Sequence, residues 1–227
     1  MRKDRNILSD LLLARKYREA MDLIKNRHSR LRILLGLLYS EEELVRWRAV
    51  TLLGLIAADG ETDLAPAVKK LLWFLNEESS TVGWCSAQAI AEIYRNNPGM
   101  ARDAIRVVLH LSDDEELSLP ANRNTPILAG SIWAIGILAE GEPALVSEMG
   151  PALTEFLKDP DPSIRGFSAW ALGRMGFQGA EEGLKALAGD DSLINLYEDD
   201  SLKNITVARA AGDALENIQK KSGERRR

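Results

Sequence analysis

The chain has 227 residues, a formal net charge of -5, and a hydrophobic share of 45% of which little is aromatic. A single cysteine, Cys85, excludes an intrachain disulfide and any zinc cluster built on paired cysteines, and the longest apolar run, residues 127–139, is too short for the roughly 20 residues of a membrane-spanning helix. Asp10 interrupts the basic, apolar start, so no signal peptide is expected, and the composition points to a soluble protein of a bacterial-type cytoplasm.

Residues 4–14 and 17–26 read as two short helices that match nothing later in the chain. Between 28 and 39 the stripe Leu31, Leu34, Leu35 and Leu38 has helical spacing, and a shift of 37 residues turns it into Val68, Leu71, Leu72 and Leu75. Residues 1–39 are therefore expected to form capping helices and a degenerate repeat.

From there each unit reads as a helix A and a returning helix B. Residues 40–57 are the first A, with Ser40 as its N-cap, and 63–76 its B. Residues 81–95 and 99–111 form the second pair, separated at Pro98, which cannot continue a helix. After an insertion at 112–125 comes the third pair, 126–141 and 142–159, with a break or kink expected at Gly150-Pro151. The fourth unit opens with 159–176, a turn, one amphipathic helix and a glycine stop, and has a short B near 179–188. A second insertion at 189–204 precedes the last helix, 205–219, and the tail from 220 to 227 is expected to be disordered.

Aligned on Val45, Val82, Ile127, Ile164 and Val207, the units are spaced by 37, 45, 37 and 43 residues. Repeats starting near 40, 77, 121, 159 and 200 predict an all-α fold: one right-handed α-solenoid domain over 1–219, of about five helical hairpins. The stretch DPDPSIRGFSAWALGRMG at 159–176, with a looser copy at 40–57, resembles the HEAT-like repeat of the phycobilisome-lyase type. The resemblance implies a helical-hairpin solenoid in which Arg46 and Arg165 pair with acidic residues of nearby turns. Gly83, Leu128 and Ala208 depart from that pattern.

Two surfaces carry candidate functional residues. On the nominally exposed ridge of the A helices stand Trp47, Trp84, Trp133 and Trp170, where such repeats place charges. They suggest either rings packed under a covering segment or a partner-binding or self-association surface. On the B helices, Lys69, Trp73, Arg106, His110 and Glu155 fall outward, a set able to take a peptide carrying acidic and aromatic residues.

Catalysis finds little support. His28 and His110 are the only histidines, and no GxSxG, phosphate loop or GxGxxG occurs, so no catalytic residue, metal or cofactor is assigned. Cys85 reads as a small apolar filler. Residues 1–32 hold ten Lys or Arg against four Asp or Glu, a net +6, and the tail carries +4, leaving -15 on the body. That body disfavours nucleic acid, and with it the HEAT-like DNA glycosylases. The expected function is a non-catalytic protein-binding scaffold or assembly factor. A chromophore lyase or chaperone-like protein is the alternative that the resemblance implies.

Overall fold

The computed structural model describes residues 2–27, 29–75, 85–111 and 124–224. By its internal contacts the chain divides into two compact units, Met1–Arg106 with Asp199–Ser201, and Val107–Glu198 with Leu202–Arg227. The fold is an α-solenoid built of helical hairpins.

The first unit contains α1 (Arg2–Leu13), α2 (Tyr17–Lys25), α3 (Ser29–Leu37), α4 (Glu43–Asp59), α5 (Ala65–Leu75), α6 (Ser86–Asn96) and most of α7 (Pro98–His110). Helix α4 packs against α6 and receives α1 and α3 on its other flanks. Leu8, Leu12, Ile24, Leu34, Leu38, Leu52, Leu53, Leu71 and Ile90 form its core, and all are essentially inaccessible to solvent. Ser40 does not cap α4 as expected. Glu42 takes the N-cap position without a side-chain bond, while the Ser40 hydroxyl accepts from the Glu42 N–H. Helix α6 stops at Asn96, just before Pro98 as expected, and Pro98 opens α7, since a first helical residue needs no N–H.

One polar cluster in this unit is organised around Asp200. The buried Arg48 guanidinium donates from Nη1 to the carbonyls of Leu12 (3.2 Å) and Leu13 (2.7 Å). It thereby satisfies the carboxyl end of α1, which has no basic residue in its own last turn. Its counter-charge is Asp200, 3.3 Å from Arg48 Nε and 3.0 Å from Arg15 Nε, which also accepts from the Tyr17 hydroxyl.

The second unit contains α8 (Thr125–Leu138), α9 (Pro143–Val146), α10 (Gly150–Glu155), α11 (Pro162–Met175), α12 (Glu181–Ala186), strands β1 (Leu193–Glu198) and β2 (Ser201–Thr206), and α13 (Val207–Glu224). Helix α11 lies between α8 and α13. Its ends follow from sequence: the Asp161 carboxylate accepts from the Ser163 N–H at 2.8 Å, and Gly176 closes the helix in the left-handed region at φ 67°. The break expected at Gly150-Pro151 is a 3₁₀ turn, Ser147–Met149, that separates α9 from α10.

The insertion at 189–204 is not irregular. It forms a two-stranded hairpin with Asp199 and Asp200 as its two-residue loop, at φ 52° and 58°. Positive φ at both loop residues is the type I′ geometry that matches strand twist, and aspartate tolerates it. In β1 the alternation is visible in burial: Leu193 and Asn195 face out, Ile194 and Leu196 face in.

Candidate functional site

Three of the four ridge tryptophans are described, and all are buried. Trp47 is 4% exposed, Trp133 1% and Trp170 8%; Trp84 lies outside the described residues. Of the two readings of the ridge, rings packed under a covering segment is therefore the one that holds for Trp47, Trp133 and Trp170. In the second unit the cover is the hairpin. Trp133 and Trp170 stack at 6.2 Å with 14° between planes, and Trp133 Nε1 donates to the Tyr197 carbonyl at 3.2 Å. Trp170 Nε1 donates to Glu198 Oε1 at 3.1 Å, and the Arg174 guanidinium lies over its ring.

Two glycines make this packing possible. A Cβ on Gly136 would sit 2.1 Å from the Trp170 ring, and one on Gly166 2.4 Å from Ile194 of β1. Gly166 therefore stands at a ridge position because the strand lies on it.

Glu198 is the electrostatic hub of the cover. Burial pushes its carboxyl up, but hydrogen bonds from Lys203 (2.7 Å) and Trp170, with the charges of Lys203 and Arg174, outweigh this and hold it below its ordinary value. A carboxylate depressed in this way adds stability that is fully present above its unfolded value near 4.5 and is lost as pH falls through the lower folded value. We expect urea midpoints of the wild type to drop more steeply below about pH 4.5 than those of Glu198→Gln, followed by tryptophan emission. Parallel profiles would contradict this.

The two motif arginines have one local role. Arg46 Nη1 donates to the carbonyls of Ser40 (2.6 Å) and Glu41 (3.2 Å), and Arg165 Nη1 to those of Asp159 (2.7 Å) and Pro160 (3.0 Å). Arg165 also pairs with Asp190 at 2.7 Å, and that bond, against some desolvation, lowers the Asp190 carboxyl. Cys85 is buried, and burial pushes its thiol up to about 12, with Arg46 acting weakly in the opposite sense. The thiol is therefore protonated at neutral pH. Among the described residues no cluster of His, Cys, Asp and Glu is placed to hold a metal, and no described helix is long and apolar enough to cross a membrane.

The B-helix residues are placed differently from the ridge. Lys69 and Trp73 on α5 and Arg106 on α7 are exposed in the first unit; His110 on α7 and Glu155 on α10 are exposed in the second. Trp73 is 56% exposed although its neighbour Phe74 is buried against Tyr39 at 5.2 Å. The 37-residue period adds a residue that was not singled out from sequence. Arg32 of α3 occupies the position of Lys69 and Arg106, and Gly36 that of Trp73. The side chains of Arg32, Lys69 and Arg106 make no hydrogen bond or ion pair among the described residues. Equivalent positions on α3, α5 and α7 thus present three free cations and one open indole, an arrangement suited to carboxylates and an aromatic or apolar side chain.

Comparison with known proteins places the architecture in the class of helical-repeat solenoids. Residues 125–175 match the model of the HEAT-like repeat, a minority of the chain. No curated protein matches it. Among solved structures, an engineered protein superposes with a TM-score of 0.56 at 20% identity, covering 97% of this chain and 93% of that one. A designed armadillo repeat protein in complex with the peptide (KR)4 gives 0.53 at 19% identity, covering 94% and 91%. At such identities the likeness shows the fold alone: a HEAT/armadillo-type repeat.

Proposed function

We propose that the protein is a non-catalytic scaffold that binds an extended peptide segment on the exposed face of its B helices. The observation that carries this reading is the exposed Trp73 on α5, one helical turn from Lys69, whose equivalent on α7 is the exposed Arg106. Buried aromatic anchors ringed by polar contacts dominate peptide affinity, and a Trp left 56% exposed is a ready anchor. The designed armadillo repeat protein of similar fold carries a peptide, which agrees with this use of the architecture.

The reading is tested with a fluorescein-labelled peptide alternating glutamate and tyrosine, followed by anisotropy. Trp73→Ala is expected to raise Kd by at least about 30-fold, as loss of a hot spot worth about 2 kcal/mol requires. Lys69→Ala is expected to act mainly at low salt. Thermal stability should change little, because both side chains are exposed. Unchanged affinity in Trp73→Ala would refute the site.

A further inference from the structure

We infer that a cleft at the amino-terminal end of the first unit is a binding site for clustered carboxylates on an acidic peptide segment. The cleft, of 770 Å³, is bounded by Arg2 and Arg5 of α1, by Arg27 ahead of α3, and by Arg32 of α3, with Ile33 and Gly36 in its wall. The inference rests on the peptide-binding reading above and adds to it the charge class of the peptide and a second anchoring point.

Four arginines besides Arg30 line the cleft, and one of them, Arg27, lies near enough to Asp4 for its charge to help lower that carboxyl. Asp4 is the acidic residue in the lining, and it is already committed to Arg30, whose Nε and Nη2 donate to its Oδ1 at 3.2 and 3.1 Å. Arg30 spends its remaining fork on the Leu23 carbonyl at 2.8 Å, so this pair closes the junction of α1 with the α2–α3 turn. The guanidinium groups of Arg2, Arg5, Arg27 and Arg32 make no hydrogen bond or ion pair among the described residues. Unpaired like charges brought together by the fold repel one another, and an anion bridging them removes that repulsion while gaining charge-assisted, fork-shaped hydrogen bonds.

The charge distribution selects among anions. A net +6 in residues 1–32 stands against -15 on the body, and that acidic balance disfavours the continuous neutralisation a nucleic-acid backbone needs. A short run of aspartate or glutamate matches the extent of the cleft. Ile33 and Gly36 supply apolar wall for the backbone and methylene groups of such a run. Arg32 belongs both to this cleft and to the repeat positions of Lys69 and Arg106.

The test uses the full chain, fluorescein-labelled hexaglutamate alone and hexaglutamate extended by tyrosines, at 50 and 200 mM salt. The double variant Arg5→Gln/Arg27→Gln removes two exposed cations whose side chains make no hydrogen bond or ion pair among the described residues, and a thermal melt verifies its fold. We expect it to raise Kd for both peptides at least ten-fold at 50 mM salt and to flatten the salt dependence. Trp73→Ala should weaken the tyrosine-extended peptide selectively. If the double variant binds both peptides as the wild type does while Trp73→Ala weakens the extended one, the cleft is refuted and the peptide-binding face survives. If Trp73→Ala is without effect while the double variant loses both peptides, the face is refuted and the cleft stands. Tighter binding of an oligouridylate of equal charge, or no binding of either peptide by the wild type, overturns the assignment.

Discussion

Trp133→Ala is expected to destabilise the second unit by roughly 3–5 kcal/mol, the cost of emptying a large aromatic site. The side chain is 1% exposed, stacks on Trp170, and donates to the Tyr197 carbonyl. Its removal opens a cavity, releases one face of the second indole and leaves a buried carbonyl without its donor. The neighbours cannot collapse into the space, because Trp170 is pinned by Glu198 and rests on the backbone at Gly136. Trp133→Phe should retain most of the stacking area and lose mainly the hydrogen bond, about 1 kcal/mol. Urea unfolding separates the two variants. Binding measured at a temperature where the variant is folded should not change, which distinguishes an internal ring from one that meets a partner.

Asp200→Ala should cost about 3 kcal/mol through a different route, that of a buried cation left without its counter-ion. Arg48 is 6% exposed and holds the carbonyls of Leu12 and Leu13, so it cannot turn to solvent without breaking the end of α1. Asp200 also occupies a left-handed loop position, where alanine is strained and asparagine is not. Asp200→Asn therefore isolates the charge: most of the loss should persist in it if Arg48 is the cause. Near-equality of Asp200→Asn and wild type in denaturant midpoint would instead assign the effect to the turn.

The helices were legible because each obeys a local rule. Asp161 and Pro162 start one, Gly176 stops it, and the apolar spacing from Ile164 to Met175 fixes its inward side. Which segment covers the ridge is not legible for the same reason: a helical wheel describes one helix, and the cover of Trp133 and Trp170 arrives from strand β1, 64 residues beyond Trp133 in the hydrogen bond that joins them. The signal for that strand was present in the alternation of Ile194 and Leu196 and in the Asp199-Asp200 pair, a two-residue turn chemistry. It was obscured by the surrounding helical period, against which 189–204 looked like surplus loop. Lys69, Trp73 and Arg106 were visible from spacing alone, since exposed positions on a B helix follow directly from its core stripe. Arg32 was equally accessible through the shift of 37, but it sits in the degenerate repeat, and its meaning depends on Arg2, Arg5 and Arg27 meeting it in space.

The order of the chain gives the tryptophan stack a biographical cost. Helix α8 leaves the ribosome well before β1, so at synthesis rates of 5–20 residues per second the indole of Trp133 waits on the order of 3–13 s for Tyr197 to be made. During that interval a newborn chain carries a bare, sticky aromatic strip, which a chaperone would recognise and a neighbouring nascent chain could capture. Codons between α8 and the end of β1 therefore set how long the strip stays open, and rare ones placed there are expected to lower the yield of folded protein without altering a single amino acid.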